Sequence, residues 1–304
     1  MSMKLGATAA YTYAFCGTGM TLDDYLVSIR TLPTLGIRWF DLEILQGKHI
    51  PIYEDASNAT ALEAALRETG VKIAGFTAWA CLEFIHSTEK SDHDQGFDLF
   101  ARIAKIAKRF GAAYIHLGSD MIRQYIVDRD PAYVTAPATR VALPADVRLD
   151  NVLDAYAKRV AKLASIAGDH GLKFALEPRA NSLVNGPDGF NDIARRAAHP
   201  NLYACLDLVH LAYHREDPAL AIEKVGNRLA VAQLCNASGG QMLHLPLGEG
   251  ELRIEPVLQT LQKIRFDGFV MLELYRSGKD TKADVDRWYR DSAAIVRRIL
   301  GDIG

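Results

Sequence analysis

A single (β/α)8 barrel, an α/β fold, is what the sequence predicts, and three observations predict it. Short apolar runs alternate eight times with longer amphipathic runs along 304 residues, the rhythm of strand–helix units around a closed parallel sheet. Four acidic or amide residues, Glu177, Asp207, Gln233 and Glu273, stand at the ends of successive runs in the second half, each about one such unit from the next. A doubly wound sheet, the runner-up, would open with a glycine-rich phosphate fingerprint. Gly17-Thr18-Gly19 is too short for one and has no matching continuation.

In order along the chain, Lys4 to Ala9 reads as the first strand, and Thr21 caps a helix with Asp23 and Asp24 in its first turn and Gly36 at its end. Ile37 to Ile44, closing on Asp41-Leu42-Glu43, is the second strand; a helix over Ala59 to Gly70 leads to the third, Val71 to Thr77. From Gln95 to Phe110, apolar residues at Phe97, Phe100, Ile103 and Ala107 follow a helical period, and Ala113 to Leu117 is strand four. Helices over Val152 to Ala167, Ile193 to Ala198, Leu220 to Val225 and Pro256 to Ile264 then alternate with strands at Leu172 to Leu176, Leu202 to Leu206, Leu229 to Leu234 and Phe269 to Leu272. Asp284 to Leu300 is a closing helix. The one long aperiodic stretch, residues 119–148 with Pro131, Pro137, Pro144, Arg123, Tyr125, Tyr133 and Arg140, is expected to be a lid insertion within a single domain spanning 1–304.

Lys+Arg 35 against Asp+Glu 37 gives a net charge of -2, which argues against a general nucleic-acid binder. Cys16, Cys81, Cys205 and Cys235 lack CxxC spacing and read as free thiols, mostly buried. No run is long and apolar enough to span a membrane, and the N-terminal segment is too weak for a secretory signal, so a cytoplasmic location is expected. The matches to the glycosylation sequon at Asn58 and Asn236 carry no meaning in that compartment.

In a barrel, strand ends converge on one face. Glu177, Asp207 and Glu273 would then repel one another and raise each other's pKa unless a cation sits among them, so a divalent metal is the simple resolution. On the same mouth, Glu43 and His116 end strands two and four, Trp79 follows strand three, and Arg179 and Asn181 follow strand five. Each has a plainer alternative: core packing for Trp79 and His116, a structural carboxylate partner for Arg179. His49, His86, His93, His170, His199 and His214 read as solvated, and Gly248-Glu249-Gly250 as a turn.

The chain resembles the xylose isomerase-like TIM barrels, the sugar phosphate isomerases and epimerases, along essentially its whole length. Four strings carry the likeness: Leu176-Glu177-Pro178-Arg179, Leu206-Asp207-Leu208-Val209-His210, His244-Leu245-Pro246-Leu247-Gly248-Glu249-Gly250, and Phe266-Asp267-Gly268-Phe269-Val270-Met271-Leu272-Glu273. The resemblance implies metal ligands at Glu177, Asp207, the strand-seven position and Glu273. It also implies a proton-moving pair in Glu177 and Glu273, and substrate contact by His210. Many members carry a histidine at the strand-seven position, whereas this chain has Gln233. An amide oxygen keeps the charge balance, and an all-oxygen set favours Mn2+, with Mg2+, Co2+ or Zn2+ as alternatives. His244, on the loop after strand seven, is a candidate to reach the substrate.

What the resemblance implies is an isomerase or epimerase of a sugar or keto-sugar, working by α-proton abstraction and a metal-stabilised enediolate. A lyase or dehydratase acting on a keto-sugar, an inosose or a 3-keto-glycoside would use the same site. A non-catalytic sugar-binding barrel is a further alternative, and a three-zinc DNA-repair site would need more strand-end histidines. The expected partner is a small-molecule sugar or derivative, with no nucleic acid and no membrane; a homo-oligomer is compatible.

Overall fold

The computed structural model describes residues 3–129 and 139–301. Eight parallel strands close into a barrel: β1 Lys4–Ala7, β2 Trp39–Glu43, β3 Lys72–Thr77, β4 Tyr114–Gly118, β5 Lys173–Glu177, β6 Leu202–Asp207, β7 Leu229–Leu234 and β8 Phe269–Leu272. Each pairs with its sequence neighbours, and β8 pairs with β1. The principal outer helices are α1 Leu22–Thr31, α2 Ala56–Thr69, α3 Lys90–Arg109, α4 Leu149–Asp169, α5 Gly186–Ala197, α6 Pro218–Val225, α7 Ile254–Lys263 and α8 Lys282–Leu300. Among the described residues no helix is long and apolar enough to cross a membrane.

Local chemistry explains the boundaries. Thr21 and Asp24 form a reciprocal capping box at the start of α1. α3 begins at Lys90, five residues before the periodic signal, because Lys-Ser-Asp-His-Asp is a polar first turn that no apolar period marks. α5 begins at Gly186-Pro187, a pair that reads as a turn but places proline in the first helical turn, where its missing N–H costs nothing. Between β4 and α4 the described residues hold a short turn, Arg123–Tyr125, and an antiparallel pair, Ile126–Asp128 with Arg140–Val141. Pro131, Tyr133 and Pro137 lie outside the described residues.

One core fills the space between barrel and helices; a smaller one, with Ala74, Tyr114, Ala175, Cys205, Val231 and Met271, fills the barrel itself. Gly75 makes the second possible, since a Cβ there would lie 2.2 Å from the Tyr114 ring. His49 and His86, expected to be solvated, are buried: His86 bonds to the Tyr156 hydroxyl at 3.0 Å and accepts from the Asp120 N–H at 3.0 Å. These partners of His86 come from segments 70 and 34 residues away, so sequence position did not show its burial.

Within the barrel the Tyr114 hydroxyl donates to Asp41 Oδ2 at 2.6 Å, and burial pushes the Asp41 carboxyl up to about 7 despite that bond. An unfolded aspartate titrates near about 4. Between those values the native chain holds a proton that the unfolded chain has released, so this group's contribution to stability falls as pH rises from about 4 to about 7. Asp41→Asn keeps an oxygen for Tyr114 and cannot ionise. Its melting temperature should exceed the wild type's by several degrees at pH 8, with the gain shrinking towards pH 4. Equal differences at both pH values would contradict the assignment.

Candidate active site

Strand register brings the strand-end residues to one level. Asp207 pairs with Gln233 across β6 and β7, Thr77 with His116 across β3 and β4, and Glu43 with Thr77 across β2 and β3. These ends open into a cavity of about 930 Å³, lined by Glu43, Trp79, His116, Arg179, Asn181, His210, Gln233 and Glu273. Glu177, Asp207 and His244 lie behind this lining and are almost fully buried.

Glu177 is held between two imidazoles. His116 Nε2 lies 3.1 Å from one carboxylate oxygen, and His210 Nε2 lies 3.2 Å from the other. Burial alone would raise the Glu177 pKa, but the hydrogen bonds and charge of these rings outweigh it and hold the carboxyl well below its usual range. Asp207 is also held low against burial, chiefly by His244, whose Nε2 lies 3.0 Å from Oδ2. The other oxygen, Oδ1, accepts from the Val209 N–H at 3.0 Å and from the Cys235 thiol at 3.5 Å. Burial pushes that thiol well up, so it meets Asp207 as a donor.

Glu273 is the opposite case. Burial, then the charges of Asp207 and Glu177, push its carboxyl well above the usual range. Glu273 Oε2 and Gln233 Oε1 are buried acceptors with no hydrogen-bond donor among the described residues. Crowded carboxylates and unpartnered oxygens aimed into one space are what a divalent cation would satisfy, and the donor set fits one. Glu177, Asp207 and His210 offer atoms all within 4.8 Å of one another.

The remaining candidates form one wall. The Trp79 indole bonds to Glu43, whose carboxyl is raised to about 7 by burial and by the charge of Asp41. The Arg179 guanidinium sits over the Trp79 ring at 4.9 Å, with its Nε 3.9 Å from Glu177 Oε2. Gly118 leaves them room, since a Cβ there would fall 2.6 Å from the Arg179 side chain and 2.7 Å from the indole. Asn181 lines the cavity from a left-handed backbone conformation, φ 58°.

Among the contributors that sequence reasoning missed are Asp41, Thr77, Asp120 and Tyr275. Asp41 was legible from strand alternation, because it shares a face with Glu43. Thr77 ends a strand as His116 does, and its hydroxyl lies 3.3 Å from His116 Nδ1. Asp120 and Tyr275 lie on loops, and nothing local marked them.

Residues 29–299 match the sequence profile of the xylose isomerase-like TIM barrel family. Among solved structures, D-psicose 3-epimerase from Clostridium cellulolyticum H10 superposes with a TM-score of 0.73 at 17% identity, over 98% of this chain and 99% of that one. The 3-keto-D-glucoside 4-epimerase of E. coli gives 0.71 at 17% identity, over 97% and 99%. The probable 3-DHS dehydratase of Bacillus anthracis gives 0.69 at 14% identity, over 96% and 99%. An uncharacterised protein of Methanocaldococcus jannaschii is 28% identical over 131 residues, 41% of this chain and 44% of that protein, so the match spans under half the length of that curated relative. With the profile covering most of a closed, eight-stranded parallel barrel, the chain belongs to the xylose isomerase-like TIM barrel family.

Proposed function

We propose that this protein is a divalent-metal-dependent isomerase or epimerase of a sugar or keto-sugar, acting by abstraction of the proton next to a carbonyl. The observation that carries the reading is the contrast between Glu177 and Glu273: one carboxyl is held far to the anionic side, and the other is pushed far to the neutral side. Groups with pKa values driven apart in one cavity suit opposite halves of a proton transfer. The three family structures reported above include two sugar epimerases, which supports the class.

Glu177, Asp207, Gln233 and Glu273 would hold the ion, Mn2+ first. Bound there, it supplies positive charge against the oxyanion that develops at the substrate carbonyl. Glu177, held anionic, would take the carbon-bound proton by way of His116 and His210, which bond its carboxylate and line the cavity. Glu273, which faces the cavity and is held on the neutral side, would return a proton to the carbon. His210, Arg179, Asn181 and Glu43 present donors and acceptors to substrate hydroxyls, and Trp79 presents an aromatic face. Asp120, Arg129 and Thr139 bring the segment after β4 to the cavity wall, which supports its role as a lid.

A second reading, elimination from a 3-keto-glycoside, is favoured by the cavity's size. About 930 Å³ is near the upper end of ligand pockets, and Leu45, Leu82 and Met242 line it with apolar surface that could receive an aglycone.

The test is a panel of free and phosphorylated keto-sugars and 3-keto-glycosides, incubated with Mn2+-loaded protein in deuterated water. Isomerisation should give a product of conserved formula with solvent deuterium at the carbon beside the carbonyl; a lost aglycone or water selects elimination. Binding without deuterium uptake or product would leave a sugar-binding barrel instead.

A further inference from the structure

We infer that His244 is the nitrogen ligand of the divalent ion, supplying from the loop after β7 what the end of β7 itself lacks. The assignment rests on the metal-dependent reading above and changes its donor set from all oxygen to mixed nitrogen and oxygen.

Three observations carry it. First, β7 presents the amide of Gln233 at this level, which offers an oxygen but no nitrogen lone pair. Second, His244 Nε2 lies 3.0 Å from Asp207 Oδ2 and 3.9 Å from Glu273 Oε1, so it bridges the two carboxylates that flank Gln233. Donors at right angles, each about 2.1 Å from one ion, stand about 3 Å apart, and wider angles open that separation further. Both separations suit this arrangement. Asp207 Oδ1 is already engaged by Val209 and Cys235, which leaves Oδ2, the oxygen nearest His244, for the ion.

Third, the ring is fixed and turned away from substrate. Residues Asn236 and Leu245 exchange backbone hydrogen bonds at 2.7 and 2.9 Å, and the Tyr275 N–H donates to the His244 carbonyl at 3.1 Å. The imidazole stacks on the Tyr275 ring with centroids 4.3 Å apart and planes 21° apart. His244 is 3% exposed and does not line the cavity, whereas His210, the other imidazole near Asp207, does. His210 is therefore placed to meet substrate, and His244 to meet only the ion and its carboxylates. A site with an imidazole discriminates more strongly in favour of Co2+ and Zn2+ over Mg2+ than an all-oxygen site.

The experiment uses the full chain, stripped with chelator and reloaded with Mn2+. Pulsed electron paramagnetic resonance reads the coupling of directly bound 14N, and calorimetric titration reads Mn2+, Zn2+ and Mg2+ affinity. Wild type, Gln233→Leu and His210→Gln should all show a coordinated imidazole. His244→Gln should lose it and weaken Zn2+ at least tenfold more than Mg2+. Retention of the coupling in His244→Gln, or its loss in His210→Gln, would overturn the assignment. If His244→Gln does not fold, histidine 15N-labelled protein carrying His116→Gln and His210→Gln decides it: a persisting histidine coupling supports His244, and its loss excludes it. Mn2+ bound with no nitrogen coupling in the wild type overturns this inference and leaves the metal-dependent reading standing; a wild type that binds no divalent ion overturns both.

Discussion

Glu273→Gln is expected to lower turnover by about 10²–10⁴-fold while the protein still binds Mn2+, because general acid–base groups contribute on that scale. The amide keeps the side chain's shape and one oxygen for the ion, but it has no carboxyl proton to pass to the substrate. The large effect follows from where Glu273 sits: it faces the cavity, and burial together with the charges of Asp207 and Glu177 raises its proton affinity. Glu177→Gln should lose turnover on the same scale for a different reason, since it breaks the carboxylate's contacts with both His116 and His210. With a substrate from the panel, solvent deuterium should enter the product of the wild type. Glu273→Gln should slow that exchange along with turnover. If both variants keep near-normal turnover at saturating Mn2+, neither carboxyl moves the proton, and His210 becomes the group to examine.

Removal of the divalent ion should abolish turnover and also lower the melting temperature, and Mn2+ should restore both. The structural cause is an electrostatic imbalance. Glu177 and Asp207 are held as anions, Glu273 is driven towards neutrality by burial and by their charge, and Gln233 Oε1 and Glu273 Oε2 lack donors among the described residues. A cation that binds these atoms only in the folded chain stabilises it by RT ln(1 + [L]/Kd), about 4 kcal/mol at a thousandfold excess over Kd. For a chain of this size that corresponds to a rise of several degrees. Asp207→Ala should erase the Mn2+-dependent part of the shift. Chelated and Mn2+-loaded wild type melting together, with equal activity, would refute the metal's role.

Much of the architecture was legible because barrels repeat. Strands β7 and β8 coincide with the apolar runs Leu229–Leu234 and Phe269–Leu272, where turn residues bracket a short β-branched or aromatic stretch. Helix starts were less legible where the first turn is polar, as at Lys90, or opens on Gly-Pro, as at Gly186, because hydrophobic period is silent there. Residues at strand ends could be nominated for one mouth before any coordinates, since parallel closure carries every strand's C-terminal end to the same face.

By itself, then, the sequence determined the barrel, the strand-end positions of Glu43, His116, Glu177, Asp207, Gln233 and Glu273, and the family likeness, all of which depend on local period and order. Only the tertiary structure decided how those side chains meet: that His116 and His210 clasp Glu177 from two sides, that the Tyr114 hydroxyl reaches Asp41 in the buried barrel interior, and that His244 turns back to Asp207. Those are contacts between residues 33 to 73 positions apart, and the last is set by a loop stapled to Tyr275. Burial and hydrogen bonding across such separations set each carboxyl's charge, and no local pattern encodes either.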